Sequence, residues 1–157
     1  MPIDRRHVGR RYGPFRFEVG LEGVRDFVSA TGGGVPGRVF SPPERHEQRP
    51  RDEEAARPSP RSAAVAPPTY AAVFAIQPFA TAIADPELGV NVLRLVHGEQ
   101  DFDFLEPVRP GDVLETTGVI TRIQDRGNLD FLEVTTESRN QHGRVAVRGV
   151  WTAIIRN

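Results

Sequence analysis

The chain has 157 residues, no cysteine and a formal net charge of −1 at pH 7. Its length fits one domain spanning 1–157 with its own core. The missing cysteines exclude disulfides and thiolate chemistry, and the balanced charge argues against a dedicated nucleic-acid binder. No run approaches the roughly 18 apolar residues of a membrane span.

The N-terminal stretch MPIDRRHVGRRYG has charges but no apolar h-region, so it does not read as a secretory signal and a cytoplasmic location is expected. Five arginines fall in the first sixteen residues. A solvated, partly frayed terminus is the expectation, rather than a phosphate-binding patch. Arginine is the basic residue throughout; lysine is absent, which excludes Schiff-base and lysine-nucleophile mechanisms.

Phe15, Phe17 and Val19 alternate with polar residues, which predicts a strand. LEGVRDFVSATG then sets Leu21, Val24, Phe27 and Val28 at helical spacing before a glycine, predicting a short amphipathic helix. Residues 41–66, SPPERHEQRPRDEEAARPSPRSAAVA, carry five prolines, five arginines and five acids. With so little to bury, this segment is expected to be a mobile loop.

PPTYAAVFAIQPFATAIADP reads as one long helix opened by two prolines. Tyr70, Val73, Phe74, Ile76, Phe79 and Ile83 surround it, so it is expected to be buried on all sides. Pro78 should kink or break it. Four strands follow, VNVLRLVHGEQDFDFLEPV, VLETTGVITRIQ, LDFLEVTTESRN and RVAVRGVWTAIIR, separated by RPGD, DRGN and NQHG turns. Tight turns between successive strands imply an antiparallel meander. In the last strand Val145, Val147, Trp151, Ala153 and Ile155 are expected to share a face.

A sheet with one apolar face and an apolar helix cover each other best when the sheet curves around the helix. That is the hot-dog fold, an α+β architecture. Its open edge strand and the outer side of its helix imply a dimer.

LVHGEQDFDFLEPVRPGDVLETTGVITRI resembles the N-terminal MaoC-like dehydratase family, also called FAS1-like dehydratases, in its His-x-Glu-Gln and Pro-x-x-x-Gly-Asp-x-Leu. The APPTY helix start (Ala66 to Tyr70) and the final strand GRVAVRGVWTAIIR are similar to the same family. Catalytic members of the wider superfamily carry Ala-Thr-Gly-Asp-x-Asn-Pro-x-His after a short helix. Their aspartate and histidine handle the water and its proton at an enoyl thioester, and a backbone N–H at the central helix start polarises the carbonyl.

This chain keeps Ala30, Thr31, Gly32 and Pro36. It has Gly33 for the aspartate, Val35 for the asparagine and Arg38 for the histidine. Glycine and arginine cannot serve as base or acid near neutral pH. The resemblance therefore implies an acyl-thioester binder without catalytic residues of its own. It would be the substrate-binding subunit of a (3R)-hydroxyacyl-CoA or acyl-carrier-protein dehydratase, paired with a catalytic MaoC-type hot-dog subunit. Phe27, Pro68, Thr69, Tyr70, Phe74 and His97 are the residues expected to contact substrate.

Two other readings stay open. One is a self-sufficient hydratase or thioesterase homodimer, for which Gln77 and Asp85 are the polar candidates on the helix. The other is a non-enzymatic acyl-binding scaffold. His97 and Glu99, two apart on a strand, should share a face as a hydrogen-bonded or acid/base pair. Asp112 is expected to cap its turn. Asp101, Asp103 and Glu106 lack the spacing and number of oxygen ligands for calcium, and His7, His46 and His142 lack zinc spacing. No metal or cofactor, nucleic-acid partner or membrane partner is expected.

Overall fold

The computed structural model describes residues 3–31 and 65–156. Its frame is a five-stranded antiparallel sheet: β1 (Arg11–Glu18), β2 (Leu95–Phe104), β3 (Val113–Asp125), β4 (Leu129–Arg139) and β5 (Val145–Arg156), in the order β1-β3-β4-β5-β2. Alternation assigns the faces. Leu114, Thr116, Ile120, Leu132, Val134, Val147, Trp151 and Ala153 are buried on the inner face, while their exposed neighbours face outward. The helices lie on the inner side, giving the helix-on-sheet layering of a hot-dog fold. No described helix is long and apolar enough to cross a membrane.

The meander holds only for β3, β4 and β5. β2 pairs with β5, not β3, so residues 105–112 cross between sheet positions instead of forming a hairpin. The RPGD turn survives as a local feature. Gly111 adopts a positive φ, and Asp112 accepts the Arg109 N–H at 2.7 Å. A tight turn alone therefore does not make the flanking strands neighbours.

Two bulges change which side chains share a face. Between His97 and Glu99 the register on β5 advances by one residue only, from Ala153 to Thr152. Gly98 is the extra residue, so His97 and Glu99 point to opposite faces and are not a pair. On β5, Val147 lies opposite buried Ser138, but Val145 lies opposite exposed Arg139. Val145 thus leaves the face shared by Val147, Trp151, Ala153 and Ile155.

The central helix is broken. A 3₁₀ turn, Pro68–Tyr70, leads into α2 (Ala71–Ala75), and α3 (Gln77–Ala84) follows beyond Ile76. The break sits where Pro78 removes an N–H and crowds the carbonyl a turn earlier. The helix is also not buried all round. Phe74, Ala75, Pro78, Phe79 and Ala82 are buried, while Val73, Gln77, Ala80, Thr81 and Ala84 form an exposed stripe. Before it, α1 (Leu21–Ala30) buries Val24 completely. The Thr31 N–H and hydroxyl bond back to the Phe27 carbonyl at its end.

The N-terminal segment is docked rather than frayed. Ile3 and His7 are buried. The Ile3 N–H donates to buried Asp130 at 2.9 Å, and Gly9 and Arg10 exchange backbone hydrogen bonds with Ile120. An apolar anchor, a buried imidazole and a hydrogen bond to a buried carboxyl offset the entropy of ordering these residues,.

Candidate functional site

The start of the central helix and the end of β2 enclose a cavity of about 360 Å³. Pro67, Pro68, Tyr70, Ala71 and Phe74 form one wall, Phe104 to Val108 the other, and Val147 of β5 lies at its base. The walls are held together by backbone. Ala66 N–H donates to the Val108 carbonyl at 2.8 Å, and the Leu105 and Glu106 N–H groups both donate to the Ala146 carbonyl. Of the segment expected to be a loop, 41–64 lies outside the described residues, while Val65 and Ala66 belong to the cavity wall.

An aromatic group backs the cavity. The Phe27 ring meets Tyr70 edge-on with centroids 5.3 Å apart, and Phe17 of β1 contacts both Tyr70 and Phe74 at 6.3 and 6.0 Å. Such edge and tilted contacts fix ring orientation beyond simple burial. Burial pushes the Tyr70 phenol above its ordinary value, so it stays protonated near neutral pH. Its hydroxyl lies over Gly23 of α1, where an added Cβ would come within 3.2 Å of it.

Glu106 is the one carboxylate in the cavity wall among the described residues, and it is engaged. Asn140 donates to it at 3.0 Å and Arg144 pairs with it at 3.2 Å. An apolar wall with a neutralised carboxylate suits an aliphatic chain. No free acid or base stands in it among the described residues.

The six residues expected to touch substrate divide. Pro68, Tyr70 and Phe74 line the cavity, and Phe27 supports Tyr70 from behind. Thr69 is exposed and outside the lining. His97 stands apart on β2, with its ring over Trp151 at 5.7 Å and Phe79 at 5.6 Å. Gly33, Val35 and Arg38 lie outside the described residues. The contribution of Phe104, Leu105, Pro107 and Val108 went unforeseen. Their signal was the adjacent apolar pair Phe104–Leu105, which ends the alternation of β2 just before a proline.

The two polar helix candidates do not face this cavity. Gln77 is on the exposed stripe. Asp85, just past α3, accepts the Tyr12 hydroxyl at 2.9 Å and the Glu87 N–H at 3.0 Å and pairs with Arg10 at 2.8 Å; Arg10 also pairs with Glu87. Burial opposes the charge on Asp85, but these hydrogen bonds and the Arg10 guanidinium outweigh it and hold the carboxyl below the usual range. Burial and the Asp85 carboxylate push the Tyr12 phenol up to about 12. This cluster ties the helix end to β1 and commits both Asp85 oxygens to partners outside the cavity.

Comparison with known proteins agrees with this frame. The family model described as FAS1-like, dehydratase domain region, matches residues 6–148. A UPF0336 protein of Streptomyces coelicolor is 33% identical over 156 residues, covering 99% of this chain and 95% of its own length. A UPF0336 protein of Streptomyces griseus is 31% identical over 157 residues, covering 99% and 97%. Among solved structures, the HadBC (3R-hydroxyacyl-ACP dehydratase) complex of Mycobacterium tuberculosis superposes with a TM-score of 0.68 at 21% identity, covering 94% of this chain and 96% of that chain. The R-hydratase PhaJ1 of Pseudomonas aeruginosa gives 0.56 at 17% identity, covering 96% and 82%. At these identities the structural likeness speaks for the fold.

Proposed function

The chain belongs to the FAS1-like, MaoC-like dehydratase family, and from that premise we propose that it is the substrate-binding, non-catalytic subunit of a cytoplasmic (3R)-hydroxyacyl-thioester dehydratase. The acyl chain, carried on CoA or an acyl carrier protein, enters the cavity between Tyr70–Phe74 and Phe104–Val108. A second MaoC-type hot-dog subunit supplies the aspartate and histidine that add or remove water. The observation that carries this reading is an apolar cavity whose one carboxylate among the described residues, Glu106, is already paired. Gly33, Val35 and Arg38 at the motif positions support it, because none of them can move a proton near neutral pH. Two solved structures with this fold are a (3R)-hydroxyacyl-ACP dehydratase complex and an R-hydratase.

The test measures acyl-thioester binding by calorimetry, then hydration of an enoyl-CoA by the protein alone and mixed with a catalytic MaoC-type chain. Binding with turnover only in the mixture is expected. Leu105→Asp, which places a charge on an exposed wall residue, should weaken binding at least about tenfold without unfolding the protein, since desolvating a carboxylate beside an alkyl chain is costly. Turnover by the isolated chain would overturn the proposal in favour of a self-sufficient enzyme, and binding without turnover in either sample would favour a scaffold.

A further inference from the structure

We propose that Arg94 and Arg156 hold a phosphoryl group, in a site at the opposite end of the sheet from the apolar cavity. The site is independent of the functional reading above. It stands at the Leu95 end of β2, whereas the cavity wall begins at Phe104, so the ten residues of the strand, roughly 30 Å, separate the two,.

Strand register brings the two arginines together. The β2–β5 ladder opens with Leu95 opposite Ile155. One step further out, Arg94 ends the 3₁₀ turn before β2, and Arg156 ends β5. On the other side of β5, Arg156 lies opposite Leu129 of β4. Neither neighbouring strand therefore offers Arg156 an acid. Like charges at opposed strand positions repel. Both residues are exposed, and neither has an ion-pair partner among the described residues.

The acids around them are engaged elsewhere. Asp4 pairs with Arg6 at 3.1 Å, and Glu87 pairs with Arg10. Asp130 is buried, and one of its oxygens accepts the Ile3 N–H at 2.9 Å. Two guanidinium groups are left beside one space. Each presents paired N–H donors that match the oxygens of a phosphoryl group. A phosphate monoester carries about two negative charges near neutral pH, whereas a carboxylate carries a single one. Two uncompensated cations therefore favour the phosphate.

Clefts on both sides of the arginines leave room for the rest of a ligand. Arg94 and Arg156 line one cleft of about 540 Å³ with Leu95, Val96, Leu129 and Ile154. They line another of about 450 Å³ with His7, Asn91 and Asp130. In this second cleft His7 and Asp130 are buried, and His7 Nε2 and Asp130 Oδ1 have no hydrogen-bond partner among the described residues. Buried groups of this kind favour a ligand hydroxyl or amine over an apolar group. The ligand class is thus a phosphate monoester whose body carries hydroxyl or amino groups. It is either a soluble sugar phosphate or nucleotide, or the phosphorylated headgroup of a lipid.

The test uses the full chain and no thioester. Binding is measured by calorimetry for inorganic phosphate, adenosine monophosphate and adenosine, and by flotation for phosphatidylcholine vesicles with and without phosphatidylinositol phosphate. A phosphorylated probe should bind wild type, and R94Q/R156Q should lose at least about tenfold in affinity, because charge-assisted hydrogen bonds are lost. R94K/R156K keeps the charge without the fork and should recover only part of it. Binding of adenosine monophosphate assigns a soluble ligand; binding of the phosphorylated vesicles alone assigns a lipid headgroup. Thermal melts give a second readout that needs no ligand. R94E sets an acid against Arg156 and should melt above wild type at low salt, with added salt narrowing the gap. The substitutions are at exposed positions, so circular dichroism should be unchanged. Failure of every phosphorylated probe to bind, equal affinity in R94Q/R156Q, or adenosine binding as tightly as its monophosphate would overturn the proposal.

Discussion

Gly118 of β3 lies directly beneath Pro78 of α3, so close that a Cβ built on the glycine would stand 2.4 Å from the proline Cβ. The helix break and the glycine are two halves of one contact. Pro78 turns the helix onto the sheet, and the missing side chain at 118 lets it seat there. A rigid ring cannot move aside as a flexible side chain would. Gly118→Ala should destabilise the fold by about 1–3 kcal/mol, the range of core overpacking, read as a lower urea midpoint at unchanged slope.

Trp151 is fully buried, and its indole N–H donates to the Thr136 hydroxyl at 3.1 Å. Thr136→Val keeps the shape and removes the acceptor. A buried donor left without a partner costs about 1–3 kcal/mol, and that loss is expected in equilibrium unfolding. Adding Trp151→Phe removes the stranded donor, so the double variant should lose less than the sum of the two single changes.

Asp85 should shape the acid limb of stability. Its folded-state carboxyl titrates below the usual carboxylate value. A depressed folded pKa stabilises above the unfolded value, about 3.9, and that contribution disappears as pH falls through the folded value. Asp85→Asn should therefore lower the melting temperature near neutral pH and give a shallower decline below about pH 4. Thermal melts across that window, compared with wild type, check the slope.

The protein has two tyrosines, Tyr12 and Tyr70, and both phenols titrate above their ordinary value. Near pH 10, about half of an ordinary tyrosine is ionised. The folded protein should show less tyrosinate absorbance there than the same protein in denaturant. Linkage has the opposite sense to that of Asp85. A raised folded pKa stabilises below the unfolded value and is lost as pH rises, for Tyr12 towards about 12,.

The strands were legible because each alternates apolar and polar residues over its length, and Pro78 announced the helix break. The strand order was not, because β2 and β3 are joined by a good turn and only the pairing of β2 with β5 separates them. The opposite facing of His97 and Glu99 was equally hidden. A bulge at Gly98 is a property of two strands in register, and one strand's sequence does not display it. Half of the candidate site was read from Pro68, Tyr70 and Phe74 because they head an apolar helix. The other half, Phe104 to Val108, becomes a wall only when the chain crosses the end of the sheet towards β3.

The inequality of the two sheet edges limits how far assembly can go. A chain with two open edges could add copies at both and grow without end. Here Pro14 and the break after Tyr12 close one side, leaving β2 as the one unprotected edge among the described residues. An assembly built by strand addition there would have no second open edge to extend, and would close as a pair rather than propagate into a fibre.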